Sequence, residues 1–83
     1  MFSVRQMKAA RALLAWSQGD LAAASGVSEP TIARLESEDS DQVGGRPETS
    51  EKLRAALEKA GVEFIPENGG GAGVRLVKRN KKR

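Results

Sequence analysis

Apolar positions recur through the first sixty residues with the period of a helix. Val4, Met7, Ala10 (or Arg11) and Leu14 fall three or four residues apart. Ser3 and Gln6 have the form of a capping box, in which each side chain satisfies the other's backbone N–H. Together they predict a first helix over about residues 4–15. Ser17 and Asp20 repeat the cap pattern, and Leu21 and Ala22 supply an apolar face. Gly26 marks an end, because glycine accepts the left-handed backbone of a helix terminus. The second helix is therefore short, about residues 18–25. Ser28 is a third N-cap, and Pro30 is tolerated in the first turn, where its missing N–H would go unpaired anyway. A third helix follows over about residues 29–37, burying Ile32 and Leu35.

Residues 38–48 hold Glu38, Asp39, Asp41, two glycines and Pro47, and are expected to form a loop that buries no core face. Thr49 or Ser50 then caps a fourth helix to about Ala60, with Leu53, Ala56, Leu57 and Ala60 on one face. Glu48 with Lys52, and Glu51 with Arg54, add surface pairs along it. Beyond Gly61 the period changes. Val62–Ile65 and Val74–Val77 have strand composition on either side of a glycine-rich turn, which predicts a β-hairpin. A lone hairpin is marginal in water, so this one must pack on the helices or pair with another chain. The turn glycines superficially resemble a phosphate-binding loop, but no Gly-Lys-Ser/Thr follows and no helix opens after them. The expected organisation is a helical unit 1–61, a hairpin 62–77 and a basic tail 78–83.

Composition narrows the functional classes. Eighty-three residues suit one domain. Hydrophobic residues reach 39% and aromatics only 4%, and Ala and Leu predominate, as in closely approaching helices. With no cysteine, neither a disulfide framework nor a thiolate metal site is available. Apolar runs are far shorter than the roughly 20 residues that span a bilayer, and the N-terminus has no hydrophobic signal segment. A cytoplasmic protein without membrane contact is expected. The formal charge of +3 belongs to the tail, whose Lys78, Arg79, Lys81, Lys82 and Arg83 leave residues 1–77 at a net −2. That tail is suited equally to contacting phosphates and to remaining solvated. Without His, Cys, a coherent carboxylate pair or a phosphate loop, catalysis has no candidate centre. No cofactor, metal or small-molecule ligand is expected.

The sharpest constellation is residues 18–37. Ala22 is small where two helices cross closely, Gly26 makes the turn, and Val27, Ile32 and Leu35 lock the third helix against the first two. This arrangement leaves the first turn of the third helix projecting outward, shaped for a groove about 12 Å wide, while the second helix turns its N-terminus toward phosphates. An ordinary helical pair in a small bundle is the competing explanation of the same spacing.

Ser17-Gln18, Leu21-Ala22, Gly26-Val27-Ser28, Thr31-Ile32 and Arg34-Leu35-Glu36 resemble the phage Cro and repressor (Xre) family of transcriptional regulators, over about residues 4–60. The resemblance implies a mainly α, four-helix lambda-repressor-like DNA-binding domain, here with a C-terminal β-hairpin. It implies that Arg11 pairs with Glu36 in a scaffold role beside the structural positions Ala22, Gly26 and Ile32. It also makes Gln18 a phosphate and base-edge contact, and Ser28, Glu29, Pro30, Thr31 and Arg34 the groove-facing set. Arg34 suits guanine O6 and N7, Glu29 cytosine N4 and Thr31 a phosphate, whereas Pro30 offers only apolar contact. Pairing with Glu38 one turn on is the alternative for Arg34. Trp16, a possible stacking residue, stands where the family places a core apolar side chain. The acidic run Glu36, Glu38, Asp39 and Asp41 would repel phosphates, so either that loop swings away or Gly44, Gly45 and Arg46 make the contact. The implied function is a repressor that binds double-stranded DNA as a homodimer. The rival is an antitoxin or phage-type control protein acting mainly through protein partners. RNA binding has little support, for want of a stacking surface.

Overall fold

The computed structural model describes residues 2–38, 43–44, 46–67 and 69–77; the basic tail, Asp39, Asp41 and Gly45 lie outside them. The chain is mainly helical, with α1 (Val4–Leu14), α2 (Gln18–Ser25), α3 (Glu29–Glu36) and α4 (Pro47–Lys59) followed by strands β1 (Val62–Ile65) and β2 (Gly73–Leu76). Both halves of the Ser3–Gln6 capping box are formed at α1. That helix stops at Leu14 because Ala15 turns into the left-handed region at φ 56°, where its N–H bonds to the carbonyls of Ala12 and Arg11. A non-glycine residue there costs on the order of 1 kcal/mol, so the packing that follows must hold the turn.

The start of α4 differs from the sequence expectation. Neither Thr49 nor Ser50 is its cap: Pro47 opens the helix, its fixed φ suiting the first position, and Arg46 fills the N-cap without a side-chain hydrogen bond. Arg54 pairs forward with Glu58 at 3.0 Å instead of back with Glu51, and Glu48 and Lys52 form no ion pair. The polar stretch before α4 also contributes to the core. Val43 is buried there, and its N–H donates to the carbonyl of Phe2 at 3.1 Å.

Val4, Met7 and Ala10 of α1 meet Leu21 of α2, Ile32 and Leu35 of α3, and Leu53 and Leu57 of α4 in one core, which Phe2, Val27, Val43 and Val62 extend. The two strands pair antiparallel, Val62 opposite Leu76 and Phe64 opposite Val74, and pack on α1 and α4. Phe64 lies 4.9 Å from Phe2 between ring centroids, with the Arg54 guanidinium 5.9 Å from its ring. Gln6 fastens the sheet: its Oε1 accepts from the Ser3 N–H while its Nε2 donates to the carbonyls of Ile65 (3.2 Å) and Gly73 (2.9 Å). One face of the hairpin is thus covered by the chain's own helices. Among the described residues no helix is long and apolar enough to cross a membrane.

Candidate nucleic-acid interface

The geometry of α2 and α3 is set from both ends. Ser17 Oγ accepts from the Asp20 N–H at 3.0 Å, and Asp20 Oδ2 accepts from the Ser17 N–H at 2.9 Å, which closes the cap of α2. Gly26 ends that helix at φ 80°, its N–H bonded to the Ala22 carbonyl at 2.9 Å. A Cβ at Gly26 would meet nothing within 4 Å, so backbone conformation and not space calls for glycine. Ala22 is half-buried against the core, while Val27 and Ile32 are buried within it.

A polar clamp then ties three helices together. Arg11 Nε and Nη2 donate to both oxygens of Glu36, at 2.8 and 2.7 Å, and Nη1 donates to the Trp16 carbonyl at 2.9 Å. Gln18, the first residue of α2, adds a 2.9 Å hydrogen bond from Nε2 to Glu36 Oε1. Burial of Glu36 pushes its carboxyl up, but the hydrogen bonds from Arg11 and Gln18, with the nearby charges of Arg11 and Lys8, outweigh this and hold it below the usual glutamate range. The pairing in turn raises Arg11 above its ordinary value. Trp16 packs, half-buried, against the core beside this clamp. Sequence spacing alone gave no sign that Gln18 would reach Glu36, because the bond crosses from the start of one helix to the end of the next.

The opposite side of α3 is open. Glu29, Pro30 and Arg34 are exposed. The Arg34 guanidinium has no partner among the described residues, and Glu38 does not pair with it. The Glu38 carboxylate lies instead beside Gly44, 3.5 Å from where a Cβ there would stand. Ser28 Oγ caps α3 by accepting from the Thr31 N–H at 3.4 Å, and it donates to Thr31 Oγ1 at 2.8 Å. Both hydroxyls therefore already have a local bond. The Glu29 carboxylate folds back over the first turn of α2, its Oε1 3.4 Å from where a Cβ of Gly19 would be. Ser28, Glu29, Pro30, Thr31 and Arg34 thus share the N-terminal and outer part of α3, Gln18 stands at the start of α2, and Arg46 is exposed on a separate element at the start of α4.

No curated protein sequence matches the chain. The helix-turn-helix family model matches residues 7–42, a stretch that takes in most of α1 and all of α2 and α3. Over those residues the chain has capped helices, a glycine turn, and a third helix locked on one side and open on the other. Residues 7–42 of this chain are a helix-turn-helix of the Cro/C1 type, the DNA-binding element of transcription regulators.

Proposed function

We propose that the protein is a repressor that binds an inverted-repeat operator as a homodimer, with α3 of each copy in the major groove and half-sites about one helical turn apart. The observation that carries this reading is the Arg34 guanidinium, unpartnered among the described residues, on the outer face of α3, whose other face is fixed by Ile32, Leu35 and the Glu36 clamp. A guanidinium held on a rigid helix is placed for two hydrogen bonds to guanine O6 and N7. Glu29 is the acceptor for cytosine N4, and Pro30 lies against base edges or thymine methyls. Thr31, Ser28 and the remaining Gln18 N–H serve phosphates or base edges, and Arg46 serves a phosphate at the flank. In this reading residues 1–61 are the DNA-reading unit, and the hairpin 62–77 holds two copies together. Repression follows from occlusion of the operator.

Selection of bound sequences from a random DNA pool, followed by gel shifts with wild type and Arg34→Ala, tests the reading. Wild type should enrich an inverted repeat, and Arg34→Ala should lose preference at one base pair per half-site. Absence of any sequence preference by wild type at low salt refutes it.

A further inference from the structure

The hairpin packs one face on the helices but leaves a strand edge open, and that edge has an order of its own. Val77 donates its N–H to the Gly61 carbonyl at 2.7 Å, so Gly61 and Val77 are a hydrogen-bonded pair of the ladder. In an antiparallel ladder such pairs alternate, which makes Glu63 with Arg75 and Ile65 with Gly73 the next ones. The N–H and C=O groups of Val74 and Leu76 therefore point away from β1, along the outer edge of β2. Leu76 and Val77 are each 48% exposed at this edge, two of the three large apolar side chains that stand out among the described residues. They project to opposite faces of the sheet because they are consecutive.

We propose that this edge pairs with the same edge of a second copy, with Leu76 on the twofold axis, so that the two hairpins form one four-stranded antiparallel sheet. The proposal rests on the homodimer reading above and specifies its contact. A single residue whose donor and acceptor both face outward is satisfied by its own symmetry mate, each Leu76 N–H bonding to the other's carbonyl. Three registers pair the outward groups of Val74 and Leu76 with one another, and the side chains decide among these three. Centring on Arg75 sets two guanidiniums directly opposite each other, which is destabilising. Centring on Val74 sets Leu76 against Ala72 and Val77 against Gly71, and leaves both apolar side chains uncovered. Centring on Leu76 packs the two leucines together on one face and brings Arg75 opposite Val77 on the other, where the aliphatic part of the arginine covers the valine. Only this register covers both exposed residues. Arg75 also keeps its 2.8 Å bond to Glu63, because that partner lies on the inner strand.

Since the chain has no cysteine, single-cysteine variants of the full protein test the contact directly. Across the axis the Leu76 Cα atoms would be about 5.5 Å apart, within disulfide reach. Leu76→Cys is expected to form a covalent dimer under mild oxidation, without DNA, at least about tenfold faster than Ala24→Cys, an exposed control on α2, whose cross-linking depends on chance collision alone. Fastest cross-linking by Arg75→Cys, or Leu76→Cys no faster than the control, overturns the proposal. Leu76→Lys, which adds two charges at the axis, is expected to weaken self-association at least about tenfold by sedimentation while the thermal midpoint shows the fold retained. Unchanged association would also overturn it. A protein that cross-links at Leu76 yet shows no sequence preference refutes the repressor reading alone. One that binds an inverted repeat as a dimer without cross-linking there refutes the edge contact alone.

Discussion

The two faces of α3 are built from the same kinds of residue and treat them in opposite ways. On the inner face Glu36 is buried and receives three hydrogen bonds, from Arg11 and Gln18. On the outer face Arg34 and Glu29, also a charged pair by type, are exposed and do not bond to each other. A charge is buried only where partners repay its desolvation, and a side chain left without partners at the surface is available to a ligand. The inner face should therefore govern stability and the outer face DNA affinity, with little exchange between them.

Replacing Arg11 by Met breaks the clamp from the inside and is expected to show the largest effect. It leaves a buried carboxylate with only Gln18 as hydrogen-bond donor, and should cost about 3 kcal/mol of folding stability, lowering the thermal midpoint by roughly 12 °C or more. Acid acts on the same group. Because the folded-state pKa of Glu36 is lowered from 4.5, its contribution is complete above that value and is lost as the pH falls through the lower folded-state value. Urea midpoints followed from neutral pH into acid should drop in that window for wild type and less steeply for Glu36→Gln. On the outer face, Arg34→Ala should weaken operator binding by about 2 kcal/mol, near thirtyfold, with an unchanged thermal midpoint. A shift of that midpoint as large as the Arg11→Met shift would erase the distinction between the faces.

Ser28 sits where the two faces meet, since its hydroxyl caps α3 and is also one of the groups proposed above to face the groove. Ser28→Ala should cost about 1 kcal/mol of stability by calorimetry and weaken binding as well. The smallest effect is expected from Glu29→Gln, which removes a negative charge from the DNA side. Gel shifts should show affinity rising a few-fold for all sequences, with less discrimination at one position. A fall in affinity for every sequence would mean that Glu29 donates order to α2 across Gly19 and does not oppose the phosphates.

Four helices and a hairpin could be read from the chain because the starts of α1, α2 and α3 and the Gly26 stop are written in local chemistry: Ser3, Ser17 and Ser28 as caps, and glycine at the turn. The start of α4 could not be read so well, because Pro47 and Thr49 are both acceptable openings and the N-cap, Arg46, makes no side-chain hydrogen bond that would mark it. Val43 was missed for a related reason: a single apolar residue in a polar stretch has no period. In the interface, the outward positions of α3 follow from helical spacing. The Gln18–Glu36 bond and the fold of Glu29 over Gly19 depend on how two helices cross, which spacing does not encode.

Gln6 gives the molecule an order of assembly. Its amide joins the cap of α1 to strand carbonyls 59 and 67 residues further along the chain. Its N-terminal box can form as soon as Ser3 and Gln6 are made, but its remaining bonds wait until Ile65 and Gly73 have been made. Closing so long a loop is slow and entropically costly, so docking of the hairpin should come after the helices have gathered. A chain stopped before Ile65 and Gly73 would hold α1, α2 and α3 with no strand for Gln6 to fasten. If the hairpin joins two copies, assembly into a dimer waits in turn for that docking.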